Sequence, residues 1–194
     1  MATGNAGKLR EYRELLAQVP LELEPCATEV DETGSTYEEN ARAKAEAACA
    51  ATQLWALGDD SGLEVEALGG FPGLHSARLA PTQQERTTEL LRRLADVPRP
   101  WHARFVCALA LARPDGETTY HRGEAVGEII PEWRGEAGFG YDPVFLVPAV
   151  GKTFGEMPSA EKHLYSHRAA AVRALVASGD LSRLLGSSGG GAVR

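Results

Sequence analysis

The sequence lacks the features that would assign its 194 residues to several specialised classes of protein. No apolar run approaches the ~20 residues of a membrane-spanning helix. Residues 1–25 also lack the basic and apolar regions of a signal peptide. We therefore expect a cytoplasmic protein that does not bind membranes. The three cysteines, Cys26, Cys49 and Cys107, are odd in number and far apart, which excludes a disulfide framework and a Cys-x-x-Cys metal site.

Positive charge is also scarce in this chain. It has 20 Lys and Arg residues against 27 Asp and Glu residues, and its formal net charge is −7. Because proteins that bind DNA or RNA normally present a basic face to the phosphates, we do not expect a nucleic acid partner. The same acidity repels a nucleoside triphosphate, so binding one would require a divalent cation and a local basic pocket.

What the sequence does contain is an alternation of helical and strand patterns in a chain of ordinary globular composition. Apolar residues at helical spacing predict a helix over residues 8–18, and a capping box at Thr36 and Glu39 predicts another over residues 37–53. A turn at residues 114–116 predicts a hairpin between residues 103–112 and a strand that ends near residue 130. This order of elements predicts an α/β fold with a mixed sheet and flanking helices.

A short stretch at the start of the chain, TGNAGK, is typical of a phosphate-binding loop. Glycines allow backbone N–H groups at a helix start to approach phosphate oxygens, and Lys8 adds positive charge. The stretch is not a Walker motif, because only two residues separate Gly4 from Gly7 and Leu9 follows the lysine. A plain turn explains so short a pattern equally well.

The stretch GDDSGL combines two adjacent carboxylates with turn residues. It follows an apolar segment at residues 55–57, so we expect a strand that ends in a turn. Neighbouring side chains of a strand point to opposite faces, which favours one of Asp59 and Asp60 as a direct Mg²⁺ ligand and the other as its support. A solvated turn is the alternative. Asp31 and Glu32 offer further carboxylates, which by themselves indicate only a charged loop.

Two later stretches could bind a nucleobase. In GFGYDP, Phe139 lies between glycines and could stack on a base, or it could be a core aromatic in a tight turn. In EKHLYSHR, a cluster of donors falls within two helical turns, although a charged helix surface is the simpler interpretation. With the phosphate loop and the metal carboxylate, these stretches would supply the four parts of a nucleotide site.

The motifs resemble, in the same order, those of the inosine triphosphate pyrophosphatase family. Its members are non-canonical purine NTP pyrophosphatases, which cleave ITP, dITP and XTP to the monophosphate and pyrophosphate. The resemblance extends to about Leu185 and includes TGNAGK, DETG, ENA (Glu39–Ala41), DDSGL, SAR (Ser76–Arg78), ARFVC (Ala103–Cys107), GFGYDP and SHR.

The resemblance implies an elongated α/β fold with two lobes around a substrate cleft. It implies a single pyrophosphatase domain over residues 1–185, followed by a flexible tail at residues 186–194. It further implies a homodimer, a requirement for Mg²⁺, and a role in removing deaminated purine nucleotides before they enter DNA or RNA.

The resemblance also implies roles for individual residues. Asp60 corresponds to the catalytic carboxylate and metal ligand, Glu32 to the second metal carboxylate, and Ser61 to a substrate contact, with Asp59 and Lys44 nearby. The triphosphate-binding loop corresponds to Thr3, Gly4, Asn5, Ala6, Gly7 and Lys8. The purine pocket corresponds to Phe139, Gly140, Tyr141, Asp142, Lys162, His167 and Arg168.

Two departures from the family pattern and two alternative functions accompany this interpretation. Family members usually have an apolar strand before the TGN motif, where this chain has Met1 and Ala2, and Ala137 stands where another glycine is common. One alternative is a related pyrophosphatase that acts on other modified bases or on pyrimidines. The other is a non-catalytic nucleotide-binding module.

Overall fold

The computed structural model describes residues 1–28 and 30–187. The chain divides into two compact units. The first is built from residues 1–60, residues 108–123 and the chain from residue 168 onward, and the second from residues 61–107 and 124–167. Of the predicted tail, residues 188–194 lie outside the described residues, whereas Gly186 belongs to the last described helix.

Two helices come first, then a strand and a third helix, and four strands followed by three helices complete the described part of the chain. The helices are α1 (Ala6–Leu15), α2 (Tyr37–Thr52), α3 (Gln83–Leu94), α4 (Ser159–Tyr165), α5 (His167–Ser178) and α6 (Asp180–Ser187). The strands are β1 (Ala56–Val65), β2 (Trp101–Ala112), β3 (Thr118–Ile129), β4 (Phe145–Val147) and β5 (Lys152–Thr153). In the part of the chain that the structure describes, no helix is both long and apolar enough to span a bilayer.

The strands form one sheet in the order β1-β2-β3-β4-β5. Strands β3 and β4 are antiparallel, with Glu128 opposite Leu146, and β4 and β5 are antiparallel, with Leu146 opposite Thr153. Ala2 adds a parallel bridge to Gly58 of β1, in which its N–H donates to the Leu57 carbonyl over 2.7 Å. The predicted α/β class is confirmed.

Strand β1 corrects the prediction that a turn begins at Gly58. The strand continues through GDDSGL to Val65, and both aspartates lie in its middle with almost no exposure. Turn propensity expresses a local preference for solvated polar side chains. Here buried partners satisfy both carboxylates, so the extended conformation is the more stable one.

Helix α2 packs closely against β1 within the first unit. The helix presents small buried residues, Ala41, Ala45 and Ala48, and a Cβ added at Gly58 would lie 2.2 Å from the Ala41 carbonyl oxygen. Only glycine permits this approach of helix to strand. The predicted N-cap is present, since the Thr36 hydroxyl accepts a hydrogen bond from the Glu39 N–H over 3.1 Å.

The second unit has a core of aliphatic and aromatic side chains from β1, α3, β2, β3 and the segment around β4. Phe145 lies at its centre, with ring centroids 4.6 Å from Phe105 and 5.0 Å from Phe154. The second predicted capping box is confirmed at the start of α3, where Thr82 and Glu85 each bond the other's backbone. This core is the support for the GFGYDP turn described below.

Candidate active site

The predicted phosphate loop lies at the N-terminus of helix α1. Asn5 is the N-cap, and its side chain accepts a hydrogen bond from the Lys8 N–H over 3.1 Å. The Thr3 hydroxyl accepts one from the Asn5 N–H, also over 3.1 Å. Gly4, Asn5 and Ala6 are exposed, and a Cβ added at Gly4 would meet no atom within 4 Å. An open helix N-terminus of this kind suits a phosphate group.

Asp59 anchors this loop from the middle of β1. Its fully buried carboxylate accepts hydrogen bonds from Lys8 Nζ over 2.6 Å and from the Tyr12 hydroxyl over 2.7 Å. Arg168 Nε donates to the same carboxylate over 3.0 Å, and its Nη1 donates to Glu11 over 3.1 Å. Burial raises the pKa of Asp59, but Lys8 and Arg168 outweigh it and hold that pKa well below its usual range. Asp59 is therefore a charged structural support.

The side chain of Asp60 points to the other face of β1 and has different partners. Lys44 Nζ donates to Asp60 Oδ1 over 2.7 Å, and Asn40 Nδ2 donates to Asp60 Oδ2 over 3.2 Å. The same Lys44 ammonium contacts Glu32 Oε1 at 2.5 Å. Burial raises the pKa of Asp60 above its ordinary value. Ser61 follows in the strand and is partly exposed.

The pair of Glu32 and Asp60 has the composition of an Mg²⁺ site. Both carboxylates share one cation, the ammonium of Lys44, so they already lie close enough to neutralise the same charge. Mg²⁺ commonly takes one or two carboxylates and completes its shell with substrate phosphates and water. Among the described residues, no cluster of three or more acidic, His or Cys side chains offers a cage without substrate. The donors therefore fit a cation that binds together with a phosphate.

The second unit holds all the residues that were predicted to contact a purine except Arg168. Asp142 Oδ2 accepts hydrogen bonds from Lys162 Nζ and from the Phe139 N–H, each over 2.7 Å. Lys162 Nζ also lies 5.2 Å from the centroid of the Phe139 ring and 5.3 Å from that of Phe154. The turn depends on glycine, since Gly138 has φ 77° and a Cβ there would meet the Asp142 carboxylate at 2.0 Å. Phe139 and Gly140 are partly exposed at its tip.

Tyr141 belongs to the core of this unit. It is 4 % exposed, and its hydroxyl donates to the Ser76 carbonyl over 3.0 Å. Burial raises the pKa of its phenol to about 12. The SAR motif therefore supports the GFGYDP turn through this hydrogen bond. Tyr141 is thus a buried support, and the stacking role of the partly exposed Phe139 stays a prediction.

His167 and Arg168, although adjacent, belong to different groups of side chains. The His167 ring stacks on Phe105 with centroids 4.7 Å apart and an angle of 11° between the planes. Arg168 joins the Asp59 cluster, and its contact with the purine stays a prediction. Both residues lie in the first turn of α5, where consecutive side chains point about 100° apart around the helix axis.

Five residues with clear roles in these clusters were absent from the predicted site. The sequence carried a signal for some of them. Glu11 and Tyr12 fall three and four residues after Lys8 on one helix face, and Asn40 falls four before Lys44. Phe105 belongs to the ARFVC motif, but no sequence signal pointed to its contact with His167 or to Phe154 beside Lys162.

The fold and these clusters define an α/β protein in which a loop suited to phosphate binding is bonded to strand β1. The same strand carries a carboxylate suited to metal binding. The chain belongs to the Ham1 family, whose family model matches residues 1–178, and the family prediction is confirmed.

Individual relatives agree with this membership. A curated relative from Parasynechococcus marenigrum, named a dITP/XTP pyrophosphatase, is 49% identical over 171 residues, which cover 87% of this chain and 87% of that protein. The solved structure of the Staphylococcus aureus Ham1 protein superposes with a TM-score of 0.78 at 36% identity, and covers 96% of this chain and 97% of that one. A HAM1 protein structure from Coxiella burnetii gives a TM-score of 0.80 at 39% identity, covering 89% and 93%.

Proposed function

We propose that this protein is an Mg²⁺-dependent nucleoside triphosphate pyrophosphatase that hydrolyses ITP, dITP and XTP to the monophosphate and pyrophosphate. The observation that carries the proposal is the arrangement around Asp60, a buried carboxylate that shares one lysine with Glu32. The names of the curated relatives support the same activity. The cellular role is removal of deaminated purines from the nucleotide pool, and the cytoplasmic location stays a prediction.

The first unit supplies the groups that handle the phosphates. The backbone N–H groups of the loop at Thr3–Lys8 bind phosphate oxygens at the start of α1. Glu32 and Asp60 would hold Mg²⁺, which when bound polarises a phosphate oxygen and offsets its charge. Lys44 balances the charge of both carboxylates before substrate arrives.

The reaction itself requires a water molecule to attack the α-phosphorus. The carboxylate of Asp60 orients this water, and the proton passes to a carboxylate of the site or to solvent. The bond between the α-phosphorus and the bridging oxygen breaks, so pyrophosphate leaves with that oxygen. Asp59 takes no part in the proton transfer, because Lys8, Tyr12 and Arg168 occupy its carboxylate.

The second unit supplies the groups that distinguish the base. Hypoxanthine and xanthine carry an oxygen at purine position 6, which accepts hydrogen bonds. We propose that Lys162 and His167 provide donors to this oxygen while Phe139 stacks on the ring. Adenine presents an amino group at the same position. This group is itself a hydrogen-bond donor, so it would face the donors of Lys162 and His167 without an acceptor between them. A polar site that is left unpaired rejects the wrong base strongly.

A homodimer is a separate part of the proposal and follows from the family resemblance. Sedimentation velocity over a range of protein concentrations tests it. A single monomeric species at micromolar concentration would contradict the dimer without affecting the proposed activity.

The activity is tested by measuring pyrophosphate release with Mg²⁺ from dITP, XTP, dATP, dGTP and dCTP. We expect the deaminated purines to be cleaved with the highest kcat/KM, and Asp60→Asn to lose at least about 100-fold in kcat. Glu64→Gln is the matched control, because Glu64 lies on the same strand but forms a solvent-accessible pair with Arg104. Equal turnover of every base would contradict purine selectivity. Binding without pyrophosphate release would favour the non-catalytic module.

A further inference from the structure

Asn40 is a buried polar residue near the start of α2, 2% exposed, for which the proposed reaction has no role. Both ends of its amide are used. The oxygen Oδ1 accepts a hydrogen bond from the Gly34 N–H over 2.8 Å, and Nδ2 donates to Asp60 Oδ2 over 3.2 Å. An N–H group requires an acceptor and a carboxylate requires a donor, so the amide can satisfy both partners in one orientation only.

The contact with Gly34 fixes the loop that carries Glu32. Gly34 lies two residues after Glu32, and a Cβ added to it would lie 2.6 Å from Asn40 Oδ1 and 2.8 Å from Glu39 Cβ. No side chain therefore fits there while the hydrogen bond persists. The next residue is held as well, since the Ser35 N–H donates to Glu39 Oε2 over 2.6 Å. The start of α2 thus clamps the loop immediately after Glu32.

The contact with Asp60 fixes the plane of its carboxylate. Asn40 and Lys44 lie one helical turn apart on α2 and bind different oxygens, Oδ2 and Oδ1 respectively. Two donors from one rigid helix leave the carboxylate no freedom to rotate. The close packing of α2 against Gly58, two residues before Asp60, keeps both donors within reach.

We infer that Asn40 is a positioning residue that holds Glu32 and Asp60 at the separation at which both bind one divalent cation. The inference rests on the proposed function, which assigns these two carboxylates to the metal. An amide is suited to the task because it is neutral. An aspartate in its place would add a third negative charge beside Asp60, and a lysine would compete with the divalent cation for the same oxygens.

The test measures Mn²⁺ affinity in the presence of the product dIMP, by electron paramagnetic resonance of the free ion, alongside kinetics with dITP. Asn40→Leu removes both hydrogen bonds. Gly34→Ala adds a Cβ that pushes the Asn40 side-chain amide away from the loop. Loss of a group that orients a metal ligand typically costs 10–100-fold in affinity. We therefore expect Mn²⁺ to bind at least about 10-fold more weakly to each variant, and kcat to recover as Mg²⁺ is raised.

The double variant tests whether the two substitutions act through one amide, since Gly34→Ala crowds Asn40 Oδ1 as well as Glu39 Cβ. We expect its loss of Mn²⁺ affinity to be smaller than the product of the two single losses, whereas independent effects would multiply. Arg42→Gln is the matched control, since Arg42 lies on the same helix and forms a solvent-exposed pair with Glu46. Circular dichroism confirms folding. Asn40→Ala replaces the leucine variant if the latter does not fold.

Failure of the inference and failure of the proposed function give different results. If the wild-type protein cleaves dITP but folded Asn40 and Gly34 variants bind Mn²⁺ with unchanged affinity, the positioning role is wrong and the activity stands. Multiplicative losses in the double variant would also overturn it. If no nucleotide is cleaved yet Mn²⁺ affinity falls as expected, the role of Asn40 holds and the proposed reaction is wrong. A wild-type protein that binds no Mn²⁺ would overturn the inference.

Discussion

Asp59 and Asp60 are adjacent on strand β1, yet their carboxylates lie on opposite faces of the strand. No donor described above binds both carboxylates. Asp59 is bound by a lysine, a tyrosine and an arginine, and Asp60 by an asparagine and a lysine. The alternation of a strand therefore separates a structural carboxylate from a reactive one at neighbouring positions. Substitutions at the two positions should have different consequences.

Asp59→Asn is expected to destabilise the fold. It removes the buried counter-charge of Lys8 and leaves Arg168 with Glu11 alone, and breaking such a buried pair costs about 3–5 kcal/mol. Urea unfolding monitored by circular dichroism measures this loss in the free energy of unfolding. Glu64→Gln removes the exposed pair with Arg104 and should cost less than about 1 kcal/mol. Equal effects of the two substitutions would show that the Asp59 network is not a structural support.

Lys162→Met is expected to reduce base selectivity more than turnover. The substitution keeps most of the side-chain volume but removes the donor beside Phe139. One lost hydrogen bond to the base is worth about 1–3 kcal/mol, so the ratio of kcat/KM for dITP to that for dATP should fall by about 10–100-fold. Steady-state pyrophosphate release with each nucleotide measures the ratio.

The matched control for this prediction is Lys152→Met. Lys152 forms an exposed ion pair with Glu161 at 2.8 Å and lies in the same unit. Its replacement should leave the selectivity ratio unchanged. A ratio that survives Lys162→Met in the folded protein would show that another group recognises the base.

Gly58→Ala is expected to destabilise the protein through steric overlap with α2. The new Cβ would lie 2.2 Å from the Ala41 carbonyl oxygen and 2.6 Å from the Ala45 backbone nitrogen, and backbone atoms cannot rotate away. Overpacking of this kind costs about 1–3 kcal/mol or more. Thermal unfolding measures the change.

Gly186→Ala is the control for the glycine substitution. Gly186 lies in α6, and a Cβ there would meet nothing within 4 Å. Because alanine favours helix over glycine, stability should stay the same or rise by up to about 1 kcal/mol. A Gly58→Ala protein as stable as this control would mean that helix and strand separate at no cost.

The free energy of unfolding should decrease as pH is lowered, because of His121. This ring is buried beside Asp180, with Nε2 and Oδ2 3.2 Å apart, and burial lowers its pKa below 6.5 although Asp180 opposes the shift. Below about pH 6.5 the unfolded chain then binds a proton that the native protein binds less readily, so the free energy of unfolding decreases as pH falls.

The comparison that isolates this residue is His121→Gln. Urea unfolding of both proteins between pH 7.5 and 5.5, a range of about one unit either side of the ordinary histidine pKa, should give a shallower decline for the variant. Parallel curves would show that His121 titrates alike in the folded and unfolded chains.

Much of the fold could be read from local patterns. Helix α3 begins at the Thr82 and Glu85 capping box, and the hairpin of β2 and β3 turns where Pro114 and Gly116 predict it. The course of β1 could not be predicted. Local turn preference favoured an end at Gly58, and only the partners of the buried Asp59 and Asp60 reverse that preference.

The sequence by itself determined the residue types of the site, their order along the chain and hence the family. Strand alternation predicted that Asp59 and Asp60 face opposite ways, but only the structure showed that the strand continues through both. Only the tertiary structure decided which carboxylate is supported and which shares a lysine with Glu32. It likewise placed Arg168 with Asp59 and showed Asn40 bonded to both Gly34 and Asp60. These pairings join residues between 6 and 109 positions apart, and contacts between separate elements depend on packing that no local pattern encodes.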